Sequence, residues 1–506
     1  MHRNYLLVLG LLTLLVGACS KDRLAEAPAA TENASREVLS RQSINDYVLE
    51  QLREKEIFRW DMADDHMLWS ALTHGRYNAA IGYQPAGFKD IKDKIHLIDV
   101  QSDEWRQVRN RLVGFIVDET NRLFPGKSFT EADLITSPED GVLPLFDITL
   151  LHPDLVTALR QMPEVRYVEP LDYSAEGVEL RSDSGCGYSP DNNIPSADFT
   201  NTTPNAKISW HQSQMNIPNA WTTSRGAGIG VCLIDTGTSP NQPNLNSQFA
   251  SGESTGRSIT RLGAYPPSSP DGPNDLCGHG TQMAGLIAAP RNSTGAVIGT
   301  AYQSSLVAIR ATQDVVVNTS NEKNGVKNAL ITAGNRSDVK IVSMSIGDVF
   351  YSSTVADGIY YAYNNGKLLM AAAGTSLSWT SWWGVIFPAN MAETVAVTGV
   401  KDGSSMVKCN TCHSGSAVDF VVTMQRTASD SRTALTLALS GYTPARVGGS
   451  SAATATAAGI AALVWATNPG QTRAQVLQRL KNSASFYPGR NSEFGWGRIN
   501  AQLAVQ

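Results

Sequence analysis

From about residue 208 to the end of the chain, short apolar runs alternate with segments whose apolar residues recur at helical spacing. The runs that predict strands are residues 229–234, 306–309, 340–344, 368–373 and 394–400. The segments that predict helices are a stretch before Ala333 and residues 279–288, 355–363, 451–466 and 472–481. Nearly continuous apolar strands joined through helices are typical of a parallel sheet covered on both faces. We therefore predict an α/β domain over residues 205–506, with its functional groups beyond the carboxyl ends of the strands.

Composition excludes two classes of function. The 506 residues include 41 Lys and Arg against 46 Asp and Glu, a formal charge of −5. Nucleic-acid binding needs a concentrated basic excess, so nucleic acid is not an expected partner. After the N-terminus no apolar run reaches the roughly 20 residues that cross a bilayer. With 42% hydrophobic residues, the chain is expected to bury a sizeable core and not to span a membrane.

Residues 1–19 have the parts of an export signal: a basic start, an apolar stretch over residues 5–16 and small residues at the end. The ending Val16-Gly17-Ala18-Cys19 resembles a bacterial lipobox, in which Cys19 is acylated and anchors the protein to the membrane. A plain cleaved signal is the alternative. We expect the protein in the bacterial cell envelope, or secreted after processing. In a Gram-negative host the outer membrane is expected, because Ser20 is not Asp.

Three further parts are predicted before the α/β domain. Residues 20–37 have the composition of a flexible tether. Residues 38–171 begin with a helical pattern to about residue 75 and continue as a compact α+β series. That series is a strand at 95–100, a helix at 102–124, a hairpin of 134–136 with 145–150, a helix at 153–161 and a strand at 165–169. The order β-α-β-β-α-β is the ferredoxin-like arrangement. Residues 172–204 are polar and predict a linker.

The cysteine count is odd once Cys19 is set aside, because five of the six cysteines remain. At least one of these thiols must stay free or pair between chains, and one or two disulfides are expected in an exported protein. Cys232 and Cys277 are expected to be buried and structural. The run Cys409-Asn410-Thr411-Cys412-His413 matches a haem-attachment pattern, but no second axial ligand is assignable. A local disulfide or plain thiols are therefore favoured over haem, and disulfide connectivity stays open.

Three kinds of polar side chain stand where the predicted sheet would bring them together. Asp235 directly follows an apolar strand, and His279 opens a helix of small residues. Ser450 and Ser451 open another helix, where backbone N–H groups and the helix dipole favour negative charge. An acid, an imidazole and a hydroxyl at one edge of a sheet are the parts of a nucleophilic triad.

Three motifs in the order Asp, His, Ser resemble the active-site signatures of the subtilisin-like serine proteases. They are Ile234-Asp235-Thr236-Gly237, His279-Gly280-Thr281 and Gly449-Ser450-Ser451, within a resemblance that extends over residues 208–506. The resemblance implies a subtilisin-like fold and a serine endopeptidase. Ser451 would be its nucleophile, His279 its general base and Asp235 the group that orients the imidazole. Ser450 is the competing nucleophile, and Ser451 is preferred because Gly459 follows it at the family's spacing.

The resemblance also implies a substrate site for peptides or proteins. Ser345, Ile346 and Gly347 resemble the strand edge that pairs with an extended substrate. Ala373 and Gly374 resemble the other wall of the first specificity pocket.

Thr375 is the main departure from the family pattern, because the family has an Asn there that donates to the oxyanion. We expect an active enzyme with altered turnover, since a Thr hydroxyl can also donate. Ser376 takes this place if the loop is shifted by one residue. Trp379, Trp382 and Trp383 either line the cleft or pack on the surface.

Residues 165–170 resemble the end of the family's inhibitory propeptide, a split βαβ domain that occupies the cleft until it is cut. The resemblance implies an autoinhibited precursor with residues 38–171 as its own intramolecular inhibitor and a processing region within residues 172–204. Because the lipid anchor at Cys19 precedes the cut, three outcomes stay open: release from the membrane, an inhibitor that stays bound, or no cut. No cofactor is required for catalysis in the family. Structural calcium is common there, but no ligand loop in this sequence is assignable. The alternative function is an inactive surface lipoprotein that keeps the fold to bind peptides.

Overall fold

The computed structural model describes residues 37–55, 57–138, 141–174, 186–187, 189–266, 272–375 and 384–506. The predicted signal with Cys19, nearly all of the tether and part of the predicted linker lie outside the described residues. Ser376, Trp379, Trp382 and Trp383 lie outside them as well. Residues Val38–Gln506 pack together as one compact unit.

Strands and helices alternate through most of the described chain. The strands are β1 (Asn78–Tyr83), β2 (Leu145–Thr149), β3 (Val165–Pro170), β4 (Phe199–Thr202), β5 (Ala206–Ser209), β6 (Gly230–Asp235), β7 (Ile259–Gly263), β8 (Ser305–Arg310), β9 (Val339–Met344), β10 (Leu368–Ala372), β11 (Thr394–Lys401), β12 (Phe420–Arg426), β13 (Ser429–Leu437) and β14 (Pro444–Val447). The α-helices are α1 (Arg41–Lys55), α2 (Asp65–His74), α3 (Ile91–Lys94), α4 (Asp103–Leu123), α5 (Glu131–Leu134), α6 (Pro153–Arg160), α7 (Trp210–Gln214), α8 (Ile217–Ala220), α9 (His279–Ala288), α10 (Ser320–Asn335), α11 (Ser353–Asn364), α12 (Gly449–Ala466), α13 (Arg473–Ser483) and α14 (Ala501–Ala504). Each strand and helix predicted after residue 205 has a counterpart among them.

The larger sheet in the described part of the chain has nine strands, in the order β14-β13-β12-β11-β10-β9-β6-β8-β7. The strands from β12 to β7 pair in parallel, and β13 and β14 add antiparallel pairs at one edge. All six residues of β6 are buried, which explains why this strand is a continuous apolar run in the sequence. This architecture confirms the predicted α/β fold class.

Helices cover both faces of this sheet. Val231 and Leu233 of β6 point into the core that contains α9 and α12, whereas Cys232 and Ile234 point into the core that contains α10 and α11. By length and composition α12 is the one helix in the described residues that is apolar enough to cross a membrane, but 89% of it is buried inside the protein. It is the central core helix, and it begins at the serines singled out in the sequence.

Residues 38–173 form a second layer with a three-stranded antiparallel sheet, in the order β2-β1-β3, and with their own apolar core. The strand predicted at 95–100 is wrong. The chain forms a 3-10 helix at Ile95–Leu97, and Ile95 is buried in the core beneath α11. The first strand is β1, whose Ala79, Ala80 and Gly82 have low β-propensity and gave no strand signal.

Two other boundaries differ from the predictions. The first strand of the hairpin predicted at 134–136 is reduced to one bridge between Ile135 and Ile148, because a capping box at Thr130 starts α5 just before it. The predicted linker 172–204 is wrong at its end, since β4 lies within it and pairs antiparallel with β5. Thr200 and Thr202 favour an extended conformation there.

Candidate active site

Asp235 and His279 meet at the carboxyl end of the central strand. Asp235 is the last residue of β6, and His279 is the first residue of α9. The Nδ1 atom of His279 lies 2.8 Å from Oδ1 of Asp235, and the backbone N–H of Thr236 donates to the same oxygen. Asp235 is 0% exposed and His279 2%. This bond fixes the ring orientation and makes Nδ1 the donor nitrogen.

The carboxylate also controls the charge of the ring. Burial lowers the pKa of His279, but the negative charge of Asp235 and its hydrogen bond outweigh that effect and hold the pKa above its usual value. The ring is therefore suited to accept a proton on its other nitrogen.

Asp275 holds the loop that brings His279 to the end of the strand. In the sequence, this role is indicated only by the position of Asp275, four residues before His279. Its Oδ1 accepts hydrogen bonds from Thr236 Oγ1 at 2.9 Å and from the backbone N–H of Gly278 at 2.7 Å. Its Oδ2 accepts from both the N–H and the hydroxyl of Thr281. Asp275 therefore ties the end of β6 to the first turn of α9.

The two candidate serines at the start of α12 have different environments. Ser450 is 0% exposed, and its hydroxyl donates to the carbonyl of Gly374 at 2.6 Å. Ser451 is partly exposed, and its Oγ donates at 3.3 Å to the carbonyl of Ser345. Gly449 makes the turn between them and β14 with a φ of +76°, a backbone conformation that favours glycine. Ser451 is thus the serine that reaches the surface.

Ser451 and His279 line one cleft of about 360 Å³. Ser345, Ile346 and Gly347 line one side of it, which we call the 345 wall. Ala372, Gly374 and Thr375 line the other side, which we call the 374 wall. Ala373, predicted as part of this wall, is 0% exposed and lies behind it. The sequence reasoning missed Ile386 and His413, which also line the cleft.

Thr375 lies beside the first residues of α12. A Cβ built on Gly449 would come within 3.0 Å of the Thr375 hydroxyl, so that hydroxyl faces the helix start where Ser451 stands. The backbone of Thr375 forms an antiparallel bridge with Cys412. The side chain expected at the oxyanion position therefore lies beside Gly449, two residues before the candidate nucleophile.

The described cysteines form two disulfides and one free thiol. Cys409 pairs with Cys412, and Cys186 pairs with Cys277, two residues before His279. Cys232 is free and buried, and burial raises the pKa of its thiol to about 12. The local disulfide is the alternative that the sequence favoured over haem attachment. Among the described residues, no group of three His, Cys, Asp or Glu side chains is arranged to hold a metal ion.

Comparison with known proteins gives a consistent result. Residues 226–497, more than half of the chain, match the subtilase family, Peptidase_S8. The M-protease of Shouchella clausii (strain KSM-K16) is 30% identical over 384 residues, 74% of this chain and 83% of that protein. Subtilisin E of Bacillus subtilis (strain 168) is 31% identical over 338 residues, 65% of this chain and 77% of that protein. The crystal structure of fervidolysin from Fervidobacterium pennivorans shares the fold, with a TM-score of 0.58 at 17% identity over 85% of this chain and 60% of that chain.

This chain belongs to the subtilase family. It is a serine endopeptidase with a subtilisin-like α/β fold. The region that matches the family contains Asp235, His279 and Ser451.

Proposed function

We propose that the protein hydrolyses peptide bonds through Asp235, His279 and Ser451, with an acyl-enzyme intermediate. The observation that carries this proposal is the 2.8 Å bond between His279 and the buried Asp235, in a cleft that Ser451 also lines. Because the Nδ1–H group donates a hydrogen bond to Asp235, Nε2 of the neutral ring is the atom that can act as base.

The reaction begins when Ser451 Oγ leaves the Ser345 carbonyl and attacks the carbonyl carbon of the scissile bond. His279 Nε2 takes the hydroxyl proton and then gives it to the leaving amine, while Asp235 stabilises the imidazolium. The backbone N–H of Ser451 at the start of α12 and the hydroxyl of Thr375 would donate to the oxyanion. Water then releases the acyl group by the same steps, again with His279 as base.

Phenylmethylsulfonyl fluoride is expected to modify Ser451 and no other serine. Ser451→Ala should abolish the adduct and the peptidase activity, whereas Ser450→Ala should keep the adduct because the Ser450 hydroxyl is buried against Gly374. Fragment mass spectrometry of the peptide that contains both serines measures the site. An adduct that persists in Ser451→Ala would assign the nucleophile to Ser450. No adduct on the folded protein, together with no cleavage of any peptide, would favour the inactive peptide-binding alternative.

The Thr375 hydroxyl is expected to contribute to turnover more than to substrate binding. Thr375→Val keeps the shape and removes the donor, so kcat should fall about 10²-fold with little change in KM, the low end of the range for losing one oxyanion donor in the related subtilisin. Thr375→Asn should keep or raise kcat. Steady-state kinetics on a chromogenic peptide measures both variants, and an unchanged kcat in Thr375→Val would exclude the hydroxyl from the oxyanion site.

We further propose that residues 38–171 are the intramolecular inhibitor of an exported precursor, which is processed within residues 172–204. Contacts at two helix N-termini support the docking. Glu169 accepts hydrogen bonds from the backbone N–H groups of Ser353 at 2.9 Å and Thr354 at 3.2 Å. Asp172, the residue that directly follows the proposed inhibitor, accepts from Ser320 at 2.6 Å. A carboxylate at a helix N-terminus is stabilised by the helix dipole and by otherwise unpaired N–H groups.

Export and anchoring complete the proposal. Acylation of Cys19 would hold the precursor in the bacterial cell envelope, and processing would release a secreted enzyme. Catalysis through a Ser-His-Asp triad needs no cofactor, and structural calcium stays without an assigned site. N-terminal sequencing and the mass of the exported product would test anchoring and processing together.

A further inference from the structure

Ile386 lies between the two walls of the cleft. The backbone N–H of Ile386 donates to the carbonyl of Ala373 at 3.0 Å, which fixes Ile386 to the 374 wall. Its side chain reaches the opposite wall, where a Cβ built on Gly347 would lie 3.1 Å from Ile386 Cδ1 and 3.6 Å from Cγ1. Ile386 is only partly buried and lines the cleft. The backbone of residues 386–387 is therefore bonded to both walls, at Ala373 and at Asp348, and the Ile386 side chain fills the space beside Gly347.

The imidazole of His413 closes the same region from behind the 374 wall. A Cβ built on Gly374 would collide with the His413 ring, so the ring packs directly against the Gly374 backbone. His413 Nδ1 pairs with the carbonyl of Gly384 at 3.1 Å, and His413 is 1% exposed. Burial lowers the pKa of His413 to about 4, so the ring is neutral near pH 7.

Of the described residues that line the cleft, Asp348 is the acidic one, and burial leaves little of it to face a basic substrate side chain. Asp348 follows Gly347, is 6% exposed and accepts a hydrogen bond from the backbone N–H of Val349 at 2.7 Å. Burial raises the pKa of this carboxyl to about 7. Among the residues that the structure describes, an isoleucine side chain, a neutral imidazole and glycine backbone lie between the walls.

We propose that Ile386 limits the residue before the scissile bond to a small side chain such as Ala or Gly. This inference rests on the proposed function, because the 345 and 374 walls flank Ser451 as the nucleophile. A large aromatic side chain would have to displace Ile386 from Gly347, and a packed protein interior resists added volume. A small side chain fits above Ile386 without moving it. The substrate class is therefore peptides with small residues at this position.

The test is a series of chromogenic tetrapeptides that differ only in the residue before the scissile bond: Gly, Ala, Val, Phe or Lys. For the processed wild-type enzyme, kcat/KM should be about 10²-fold higher for Ala than for Phe. Ile386→Ala should raise kcat/KM for the Phe peptide at least about 10-fold and shift the preference toward large residues. Val385→Ala is the matched control, because Val385 lines a neighbouring cavity instead of the cleft. It should leave the wild-type order unchanged.

Several outcomes would overturn the inference while leaving the proposed function intact. They are equal rates for Ala and Phe in the wild type, a preference for Lys, or an unchanged order in Ile386→Ala that still cleaves the Ala peptide at the wild-type rate. If Ile386→Ala does not fold, Ile386→Val and the wild-type series decide, since the smaller Val should raise the relative rate for the Phe peptide. Failure of the proposed function is distinct: no peptide is cleaved, and Ser451 is not modified in folded protein.

Discussion

Replacing Asp235 with Asn is expected to lower kcat by about 10⁴-fold while leaving the fold intact, as the same change does in an unrelated Ser-His-Asp protease. The substitution keeps the size of the buried side chain, but the amide can donate to His279 Nδ1 and so favours the wrong tautomer. It also removes the negative charge that stabilises the imidazolium. Steady-state kinetics on a chromogenic peptide measures kcat, and circular dichroism checks the fold. A variant within about tenfold of wild type would exclude Asp235 from the mechanism.

The same variant has a pH signature. His279 acts as base only when it is neutral, so wild-type kcat/KM should rise as pH increases through its pKa, which Asp235 holds above the usual value of about 6.5. Without the Asp235 charge the pKa falls, and the acid limb of the residual activity should move to lower pH. Asp430→Asn is the control, because it removes the charge of an exposed carboxylate. The acid limb of its pH profile should stay where it is in the wild type. A limb that moves to higher pH in Asp235→Asn would contradict the assignment.

Replacing Arg166 with Ala is expected to destabilise the precursor by about 3–5 kcal/mol, because it leaves the buried Asp357 carboxylate without its cationic partner and with the Tyr167 hydroxyl as a neutral donor. The Arg166 guanidinium bonds both oxygens of Asp357 in α11, at 3.0 and 2.6 Å, with side chains 10% and 5% exposed. Burial lowers the pKa of Arg166, but the charge of Asp357 outweighs it and raises the pKa overall. The ion pair joins β3 of the proposed inhibitor to the catalytic domain, so the change should also weaken its docking.

The measurement is denaturant unfolding of the precursor in a Ser451→Ala background, which prevents self-cleavage. In the background with an intact serine, Arg166→Ala should release activity earlier, because the docked inhibitor opens more often. Arg111→Ala is the matched control, since Arg111 pairs with Glu164 at the surface with 59% of its side chain exposed, and exposed pairs contribute little. Equal unfolding of the Arg166 and Arg111 variants would show that the ion pair does not hold the two parts together.

The larger sheet could be predicted because burial on both faces leaves a strong apolar pattern in its strands. The same pattern marks the strand end and the helix start that carry polar side chains. Asp235 and His279 stand where that pattern stops, so their meeting follows from the parallel topology. The N-terminal sheet was predicted less well, because β1 is built from small residues and its position depends on pairing with β2 and β3.

Other features depend on contacts between distant parts of the chain. The separation of 91 residues between Cys186 and Cys277 gives no local signal for their pairing. Ile386 lies 39 positions after Gly347, and only the folded chain brings its side chain to the opposite wall. Which of Ser450 and Ser451 is buried likewise depends on what packs against the start of α12, where the Ser450 hydroxyl donates to the distant Gly374 carbonyl.

The bond between Cys186 and Cys277 closes a covalent ring in the polypeptide. Hydrolysis on the amino-terminal side of residue 186 would give two molecules that no covalent bond joins. Hydrolysis inside the ring, between residues 187 and 204, would open it and still leave both products joined through sulfur. The side of Cys186 on which the backbone is cut would therefore decide whether the enzyme diffuses away or stays tethered, and a thiol reductant would convert the tethered form into the diffusible one.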